Sequence, residues 1–253
     1  MKNLRNIFRL GLMGIALALF SCDEDPISSR VTYYPVIELE GDSKILVHEG
    51  EPYTDPGAIA TIDGEEVPLD INFTGYYRGA TFNSSLDTNI ADMYTQSYSA
   101  TNADGFSSSA SREIWVATTG DLVNSIEGLY TSTVYRNGTQ GSPASAYTDI
   151  EYILIWKNDD GTYGISDAFG GWYLYARAIA GSETPGGIIV ANDISANDFE
   201  FPGTLSNSYF GGSAEITGMT VDPDAGTIVF TTSWQADPAT SYSFETHLTQ
   251  VQF

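Results

Sequence analysis

The amino-acid sequence predicts an all-β protein with two successive domains. Short runs of alternating apolar and polar residues are separated by turn-forming pairs such as Asn-Gly and Asp-Gly, a pattern typical of strands joined by hairpins. Beyond residue 21, no stretch of about a dozen residues keeps the i, i+3, i+4, i+7 apolar spacing of an amphipathic helix. Hydrophobic residues make up 42% of the chain and aromatic residues 13%, which is enough apolar surface to form cores.

Residues 1–21 have the parts of an export signal. The basic residues Lys2, Arg5 and Arg9 precede an uncharged apolar run at residues 10–20, as in a secretory signal peptide. A membrane-spanning helix needs roughly 20 apolar residues, and this run is shorter. It therefore predicts a signal peptide and not a permanent transmembrane helix.

The L-F-S-C sequence at residues 19–22 resembles the lipobox of bacterial lipoproteins, whose cysteine becomes the lipidated first residue of the mature chain. Cys22 is the only cysteine, so no intrachain disulfide can form. The resemblance implies a lipid-anchored tether over residues 22–30. Several acyl chains on one residue can hold a protein at a membrane, because each buried CH₂ contributes about 0.8 kcal/mol to membrane binding. The alternative is an ordinary signal-peptidase site beside a free thiol.

The acidic residues 23–25 resemble the export signal of bacteria that place lipoproteins on the outer face of the outer membrane. This resemblance implies an outer-membrane location that faces the extracellular side. Alternatively, these acids only keep the tether solvated and extended.

The formal net charge is −23, with 10 Lys and Arg against 33 Asp and Glu. Nucleic acid is excluded as a partner because its binding relies on Lys and Arg that neutralise phosphates. The same charge opposes electrostatic attraction to anionic lipid, so the membrane is expected as a partner only through the lipid anchor. Acidic turns at residues 158–161 and 222–226 offer oxygen ligands for Ca²⁺ but lack EF-hand spacing. Turn chemistry explains both of them, and we expect no metal site.

The first domain is predicted over residues 31–119. Its strands are expected at residues 36–39 and 44–48, joined by a hairpin at Gly41, and at residues 70–74, 92–101 and 111–117. In the strand at 92–101, the alternate residues share one face. These are Tyr94, Gln96, Tyr98 and Ala100.

Three segments resemble the immunoglobulin-like domain of bacterial surface proteins. They read P-V-I-E-L at residues 35–39, G-E-P-Y-T-D-P-G-A at 50–58 and Y-S-A-T-N-A-D-G at 98–105. In the second of them, Pro56 fixes φ and Gly57 can take a positive φ, so the motif marks a turn. The resemblance implies a β-sandwich that serves as a spacer or an adhesive module.

The second domain is predicted over residues 120–253 as an antiparallel barrel or sandwich. The expected strands are at residues 126–135, 152–156, 162–165, 172–179, 187–190, 214–221, 227–234 and 241–251. The domain order and the G-L-Y sequence at residues 128–130 resemble the lipocalin-like C-terminal domains that follow immunoglobulin-like modules in surface lipoproteins of glycan-utilisation systems.

Aromatic residues among acids and amides are the best candidates for a binding site, since sugars present flat C–H faces to rings and hydroxyls to polar groups. Gly170 and Gly171 could leave Trp172 at a rim, with Tyr173, Tyr175 and Arg177 on the other face of its strand. The alternative is that these aromatics belong to the core. The candidate ligand-binding residues are Trp172, Tyr173, Tyr175, Tyr209, Phe210 and Trp234.

Enzyme signatures are weak, and we expect neither catalytic residues nor a cofactor. His48 and His247 lie in different predicted domains, and no metalloprotease, serine-hydrolase or phosphate-loop motif is present.

The leading hypothesis is an outer-membrane surface lipoprotein that binds extracellular glycan in a nutrient-uptake system. The alternatives are a structural or accessory subunit that binds uptake-complex proteins, a lipocalin-type carrier of a small apolar ligand, and a glycosidase with two suitably spaced carboxylates. The sequence leaves the ligand, the oligomeric state and the closure of the second domain open.

Overall fold

The computed structural model describes residues 31–253, and the regular secondary structure in that range consists of β-strands. The predicted all-β fold class is confirmed. The predictions for the signal peptide at residues 1–21, for lipidated Cys22 and for the tether at residues 22–30 lie outside the described residues. No helix among residues 31–253 has the length and apolar character that a membrane crossing needs.

The first eight strands form a two-sheet sandwich, as the immunoglobulin-like resemblance predicts. They are β1 (Val36–Leu39), β2 (Lys44–His48), β3 (Ala58–Ile62), β4 (Glu65–Val67), β5 (Asp70–Gly75), β6 (Thr81–Asn83), β7 (Asp92–Thr101) and β8 (Ser107–Ala117). One sheet has the order β1-β3-β4 and the other β2-β8-β7-β5-β6. All pairs are antiparallel except β2 with β8, which is parallel.

The hairpin predicted between β1 and β2 is wrong. Strand β1 pairs with β3 in one sheet, and β2 pairs with β8 in the other. Gly41 has a φ of 72°, and this left-handed turn carries the chain from one sheet to the other. Alternation along each strand predicts a half-buried strand but not its partner, so it could not distinguish a hairpin from a crossing between sheets.

The buried face of β7 agrees with the alternation in its sequence. Tyr94, Gln96 and Tyr98 are fully buried, and Ala100 is nearly so. Tyr94 packs in the sandwich core with four other buried side chains, Val47, Phe73, Ile114 and Val116.

The turn motif of the first domain supports a polar network beneath the sandwich. The Asp55 carboxylate accepts hydrogen bonds from Gln96 Nε2 at 2.7 Å, from the Gly57 amide at 2.8 Å and from the Tyr98 hydroxyl. The fully buried Arg112 guanidinium lies 4.0 Å from the same carboxylate. The motif residues Asp55 and Gly57 therefore have a structural role in this network.

The remaining nine strands form a single antiparallel sheet. They are β9 (Gly128–Arg136), β10 (Ser145–Lys157), β11 (Tyr163–Ile165), β12 (Gly187–Asp193), β13 (Asp198–Glu200), β14 (Leu205–Asn207), β15 (Gly211–Asp222), β16 (Thr227–Asp237) and β17 (Thr240–Gln250). Their order is β13-β12-β11-β10-β9-β17-β16-β15-β14. The edge strands β13 and β14 are separated by only residues 201–204, so the sheet must curl to bring its two edges together. They do not pair, and the result is an open, half-barrel-like sheet.

The strand predicted at residues 172–179 is wrong, because this stretch consists of turns. It belongs to a connection between β11 and β12, residues 166–186, which we call the inner loop. Gly170 and Gly171 have φ values of 62° and 83°, which L-residues rarely adopt. A Cβ on Gly170 would lie 2.5 Å from Thr246 Cγ2, and one on Gly171 would lie 2.6 Å from Ile150 Cγ2. The two glycines therefore let the loop fold tightly onto the sheet.

The inner loop occupies the concave face of the curled sheet. Ser132 Oγ of β9 donates to the Gly170 carbonyl at 2.9 Å, and Thr232 Oγ1 of β16 donates to the Ala168 carbonyl at 2.6 Å. The loop contributes buried rings to one apolar cluster, whose members are Val134, Ile150, Phe169, Trp172, Tyr173, Ala214, Trp234 and Phe244. A second, larger cluster fills the remainder of the interior. Side chains thus occupy the space that a lipocalin-type carrier would need for its ligand.

The two β domains share a third buried cluster. Met93 and Trp115 of the sandwich pack against Leu154 and Trp156 of the curled sheet. The Tyr77 ring stacks on Trp156, with centroids 6.3 Å apart. Residues Tyr34–Phe253 accordingly form one compact unit.

Candidate functional site

An open cleft of roughly 450 Å³ lies at one end of the concave face, and we call it the aromatic cleft. Alternation along β9, β16 and β17 brings Arg136, Trp234 and Tyr242 to the same concave face as the buried core residues. The inner loop adds Tyr173 and Arg177. The residues that line the cleft are Arg136, Tyr173, Arg177, Phe210, Trp234, Ala236, Asp237, Thr240 and Tyr242.

Contacting aromatic rings form the floor and one wall of the aromatic cleft. Trp234 and Tyr242 are stacked, with centroids 5.4 Å apart, and Tyr173 lies 4.9 Å from Phe210. Trp234 Nε1 donates to the Gly211 carbonyl at 3.0 Å, which fixes its ring. Tyr173 and Trp234 are almost fully buried, whereas Phe210 is 43% exposed. The buried rings thus form a rigid base for an accessible apolar surface.

Two arginines border the same rings. The Arg136 guanidinium lies between Trp172 and Tyr242, 5.0 Å and 5.2 Å from their centroids, and that of Arg177 lies 5.8 Å from the Tyr173 centroid. Across residues 31–253, no carboxylate is within ion-pairing distance of either guanidinium. Burial raises the pKa of Tyr173, and the two arginines act in the opposite direction. The cleft is therefore positively charged within an acidic protein.

A second groove, of about 500 Å³, shares Trp234 and Tyr242 with the aromatic cleft. We call it the polar groove, because its other lining residues carry hydroxyl, amide or carboxylate groups. They are Asn137, Ser213, Glu215, Ser233, Gln235, Ser241 and Ser243. Those on β15, β16 and β17 pair with one another across these strands and alternate with Trp234 and Tyr242, so the polar groove lies on the convex face of the sheet, opposite the aromatic cleft.

The structure brings together some of the predicted site residues but not all of them. Tyr173 and Trp234 line the aromatic cleft, and Tyr209, 64% exposed, contacts its wall residue Phe210 at 4.8 Å. Trp172 is only 2% exposed and lies behind Arg136, so the expectation of a rim position is wrong. The reason is the turn at Gly170 and Gly171, which directs the loop inward.

Tyr175 lies outside the aromatic cleft. Its hydroxyl is 3.0 Å from the Tyr77 hydroxyl, at the contact between the two domains. Burial raises the pKa of both tyrosines, so both stay protonated and can share a hydrogen bond.

Sequence reasoning missed Arg136 and Tyr242. A signal was present, because Arg136 is two residues beyond the buried Val134 and Tyr242 two residues before the buried Phe244. Both therefore extend the inward-facing positions of their strands.

The acidic turns have structural partners. Asp160 Oδ1 accepts from the Thr162 amide and hydroxyl at 3.0 Å and 2.7 Å, and Asp222 Oδ1 accepts from the Ala225 amide at 3.0 Å. No cluster of three or more potential metal ligands occurs in the described part of the chain.

A buried carboxyl holds the inner loop in shape beneath the cleft. Asp167 is fully buried, and its oxygens accept from the amides of Phe169 at 2.8 Å, Gly171 at 3.0 Å and Thr184 at 3.1 Å. Burial raises the pKa of Asp167 to about 6, although the three amides act in the opposite direction.

The raised pKa of Asp167 predicts a pH dependence of stability. Because the folded-state value lies above the usual 3.8, the charged carboxylate destabilises the fold above pH 6, and this cost fades as the pH falls toward 4. When the pH is lowered from 7.5 to 5, we expect the free energy of unfolding to rise less in Asp167→Asn than in the wild type. Urea denaturation at both pH values measures the gain, and equal gains in the two proteins would contradict the prediction.

Comparison with known proteins gives two family matches. Residues 119–250 match the family model of a BT2262-like, C-terminal domain, and residues 37–116 match that of the bacterial surface protein, Ig-like domain. No curated protein matches the chain. These matches confirm the predicted combination of an immunoglobulin-like domain with a C-terminal β domain.

A solved structure is similar over most of the chain. It is the crystal structure of the lipoprotein BT2262 from Bacteroides thetaiotaomicron, which is 28% identical, with a TM-score of 0.58. The similarity covers 86% of this chain and 100% of that one.

Proposed function

The chain belongs to the BT2262-like family of bacterial surface lipoproteins, and from this premise we propose that it binds an extracellular glycan at the aromatic cleft. The observation that carries the proposal is the open cleft in which exposed Phe210 stands beside Asp237, Thr240 and two arginines that have no carboxylate partner among the described residues. Binding sites of this kind combine apolar walls with a few polar groups that fix orientation.

The chemistry of the cleft suits a sugar ring. The flat C–H face of a pyranose can pack on the exposed Phe210 ring, while Asp237 and Thr240 can exchange hydrogen bonds with its hydroxyls. The rings are already fixed by contacts with one another, so binding orders few side chains and loses little entropy.

The proposal includes a place in the cell. Acyl chains on Cys22 would hold the protein in the outer membrane with its domains on the extracellular side, where polysaccharides are encountered. Handing glycan to a nutrient-uptake system is the role that this location supports. The supporting observations are the lipobox-like sequence and the similarity to a Bacteroides lipoprotein.

An accessory, protein-binding role is the second candidate. The observation in its favour is the exposure of two apolar side chains on adjacent strands of the sandwich, Val36 at 56% and Ile59 at 42%. Such residues are common in contact surfaces, although a scattered few are ordinary. A glycan array probed with the full chain in detergent separates the two candidates, since retention of no glycan would leave the accessory role.

Replacement of one exposed ring tests the glycan site directly. We expect Phe210→Ala to weaken binding of a retained glycan about tenfold, or about 1.4 kcal/mol, because it removes an accessible apolar face from the cleft. Isothermal titration calorimetry measures the change.

The chain offers a matched control for this substitution. Phe106 is 45% exposed, close to the 43% of Phe210, but lies on the sandwich. Phe106→Ala should bind as the wild type does. Equal affinities for all three proteins would contradict a site at the aromatic cleft.

A further inference from the structure

Basic residues are scarce in this protein, and their placement is informative. Lys and Arg number 10 against 33 Asp and Glu, so the overall field repels anions. Within residues 31–253 the cationic residues of the sandwich have polar partners. Lys44 lies 3.4 Å from Glu113 and 3.2 Å from Glu151, and Arg112 donates to two backbone carbonyls. Against that background, the two arginines of the aromatic cleft stand out.

The Arg136 guanidinium is held in place without being neutralised. It lies over the rings of Trp172 and Tyr242, 5.0 Å and 5.2 Å from their centroids, and cation–π contacts of this kind hold a guanidinium while leaving N–H groups available for hydrogen bonds. Nε of Arg136 is buried and has no hydrogen-bond partner among the described residues. The side chain is therefore ordered before any ligand binds.

Arg177 reaches the same cleft from a different element. It lies on the inner loop and is exposed, with its guanidinium over the Tyr173 ring. The acid in the cleft, Asp237, accepts from the Ala239 amide at 2.8 Å within its own turn, and this bond contributes to lowering the pKa of Asp237. Its carboxylate is thus engaged by the β16–β17 turn and not by either arginine.

We propose that the aromatic cleft is specific for an acidic glycan, whose carboxylate or sulfate group is bound by Arg136 and Arg177 while the sugar ring packs on Phe210. The inference rests on the proposed function, and it names the ligand class of that site. Guanidinium groups bind carboxylate and sulfate oxygens through paired, charge-assisted hydrogen bonds. Polyanions of high charge density are disfavoured by the net charge of −23, so the expected ligand carries isolated acidic sugars.

The experiment compares glycans that share a backbone and differ in charge. The full chain in detergent is titrated with an aldobiouronic acid, which carries one acidic sugar, with its methyl ester, with the unsulfated chondroitin disaccharide and with its monosulfated form. The first pair tests for a carboxylate and the second for an added sulfate. We expect the preferred acidic form to bind at least tenfold more tightly than its less charged counterpart, and this preference to shrink as NaCl is raised from 50 to 500 mM.

Variants assign the preference to the cleft. Arg136→Gln and Arg177→Gln should each reduce the affinity for the more acidic form at least fivefold and shrink its preference over the less charged form. Lys157→Gln is the control, because it removes one positive charge of the same domain outside the cleft. Because Arg136 is packed against two rings, thermal denaturation is used to check that Arg136→Gln still folds. If that variant is destabilised, substitution of the exposed Arg177 gives an independent result.

The possible results separate the two levels of the proposal. Equal affinity for the more and the less charged form of both pairs, with Phe210→Ala still weakening binding, would overturn the acidic specificity and keep the glycan site. Acidic preference that survives both arginine substitutions would overturn the assignment to this cleft. Binding of no glycan of either kind would overturn the proposed function and this inference with it.

Discussion

Replacing Trp115 by alanine is expected to lower the free energy of unfolding by about 3–5 kcal/mol, the usual cost of deleting a buried tryptophan. Trp115 is fully buried, and its Nε1 donates to Glu113 Oε1 at 2.6 Å. Its ring lies edge-on to Tyr152 of the other domain, 5.6 Å between centroids, and 6.3 Å from Tyr77. The substitution therefore opens a cavity where the two domains meet.

The same substitution is expected to change the form of the unfolding transition. The wild type should unfold in one cooperative step, because the cluster around Trp115 couples the domains, whereas Trp115→Ala should show two steps. Differential scanning calorimetry together with guanidinium denaturation followed by circular dichroism measures both effects. Phe106→Ala, at an exposed position, should change the stability by less than about 0.5 kcal/mol. A loss below about 1 kcal/mol for Trp115→Ala would contradict a shared core.

Replacing Asp55 by alanine is expected to cost about 3–5 kcal/mol, because it leaves a buried cation without its carboxylate. Arg112 is only 1% exposed, and its Nη2 donates to the Glu40 and Gly57 carbonyls at 2.6 Å and 3.1 Å. Its Nη1 lies 4.0 Å from Asp55 and has no hydrogen bond among the described residues. Without Asp55, the Tyr98 hydroxyl also loses its acceptor.

Two further variants separate charge from shape at this position. Asp55→Asn keeps an oxygen acceptor but loses the charge, so its free energy of unfolding should lie between the values of the wild type and of Asp55→Ala. Asp42→Ala, at an exposed acid of the same domain, should be nearly neutral. Urea denaturation at constant pH gives the three values, and equal stabilities for Asp42→Ala and Asp55→Ala would show that the carboxylate does not compensate Arg112.

Much of the first domain could be predicted because its signals are local. The D-P-G sequence at residues 55–57 specifies a turn through the fixed φ of proline and the freedom of glycine, and Gly57 indeed has a φ of 101°. Alternation predicted that Tyr94 and Tyr98 share one face of β7, and in the structure that face is buried. The pairing of β1 could not be predicted, because it depends on which sheet covers the strand and not on its own residues.

The inner loop shows why the second domain was harder. Residues 172–179 alternate in a way typical of a strand, yet they follow a turn at Gly170 and Gly171, whose φ values are positive. Thr246 and Ile150, distant in sequence, leave no room for a Cβ at these two glycines. Two polar residues at inward positions, Ser132 and Thr232, serve as donors to the loop, and their purpose becomes visible only when the loop is in place.

The candidate site could be predicted in part. Tyr173 and Trp234 were identified as aromatic residues among acids and amides in the sequence, and both line the aromatic cleft. Arg136 was not, although the alternation along β9 points its side chain to the concave face; its place beside Tyr173 arises from the curl of the sheet and the path of the loop. Aromatic richness predicts a kind of chemistry, whereas the convergence of β9, β17 and the inner loop determines which rings take part.

The edge strands of the curled sheet affect whether copies of the protein aggregate with one another. Strands β13 and β14 are three residues long, and Asp198 and Glu200 place negative charge on one of them. Long, uncharged edges invite the strands of neighbouring molecules, whereas short, charged ones offer few free amides and carbonyls. These edges therefore disfavour strand pairing between neighbouring copies and the aggregation that would follow from it.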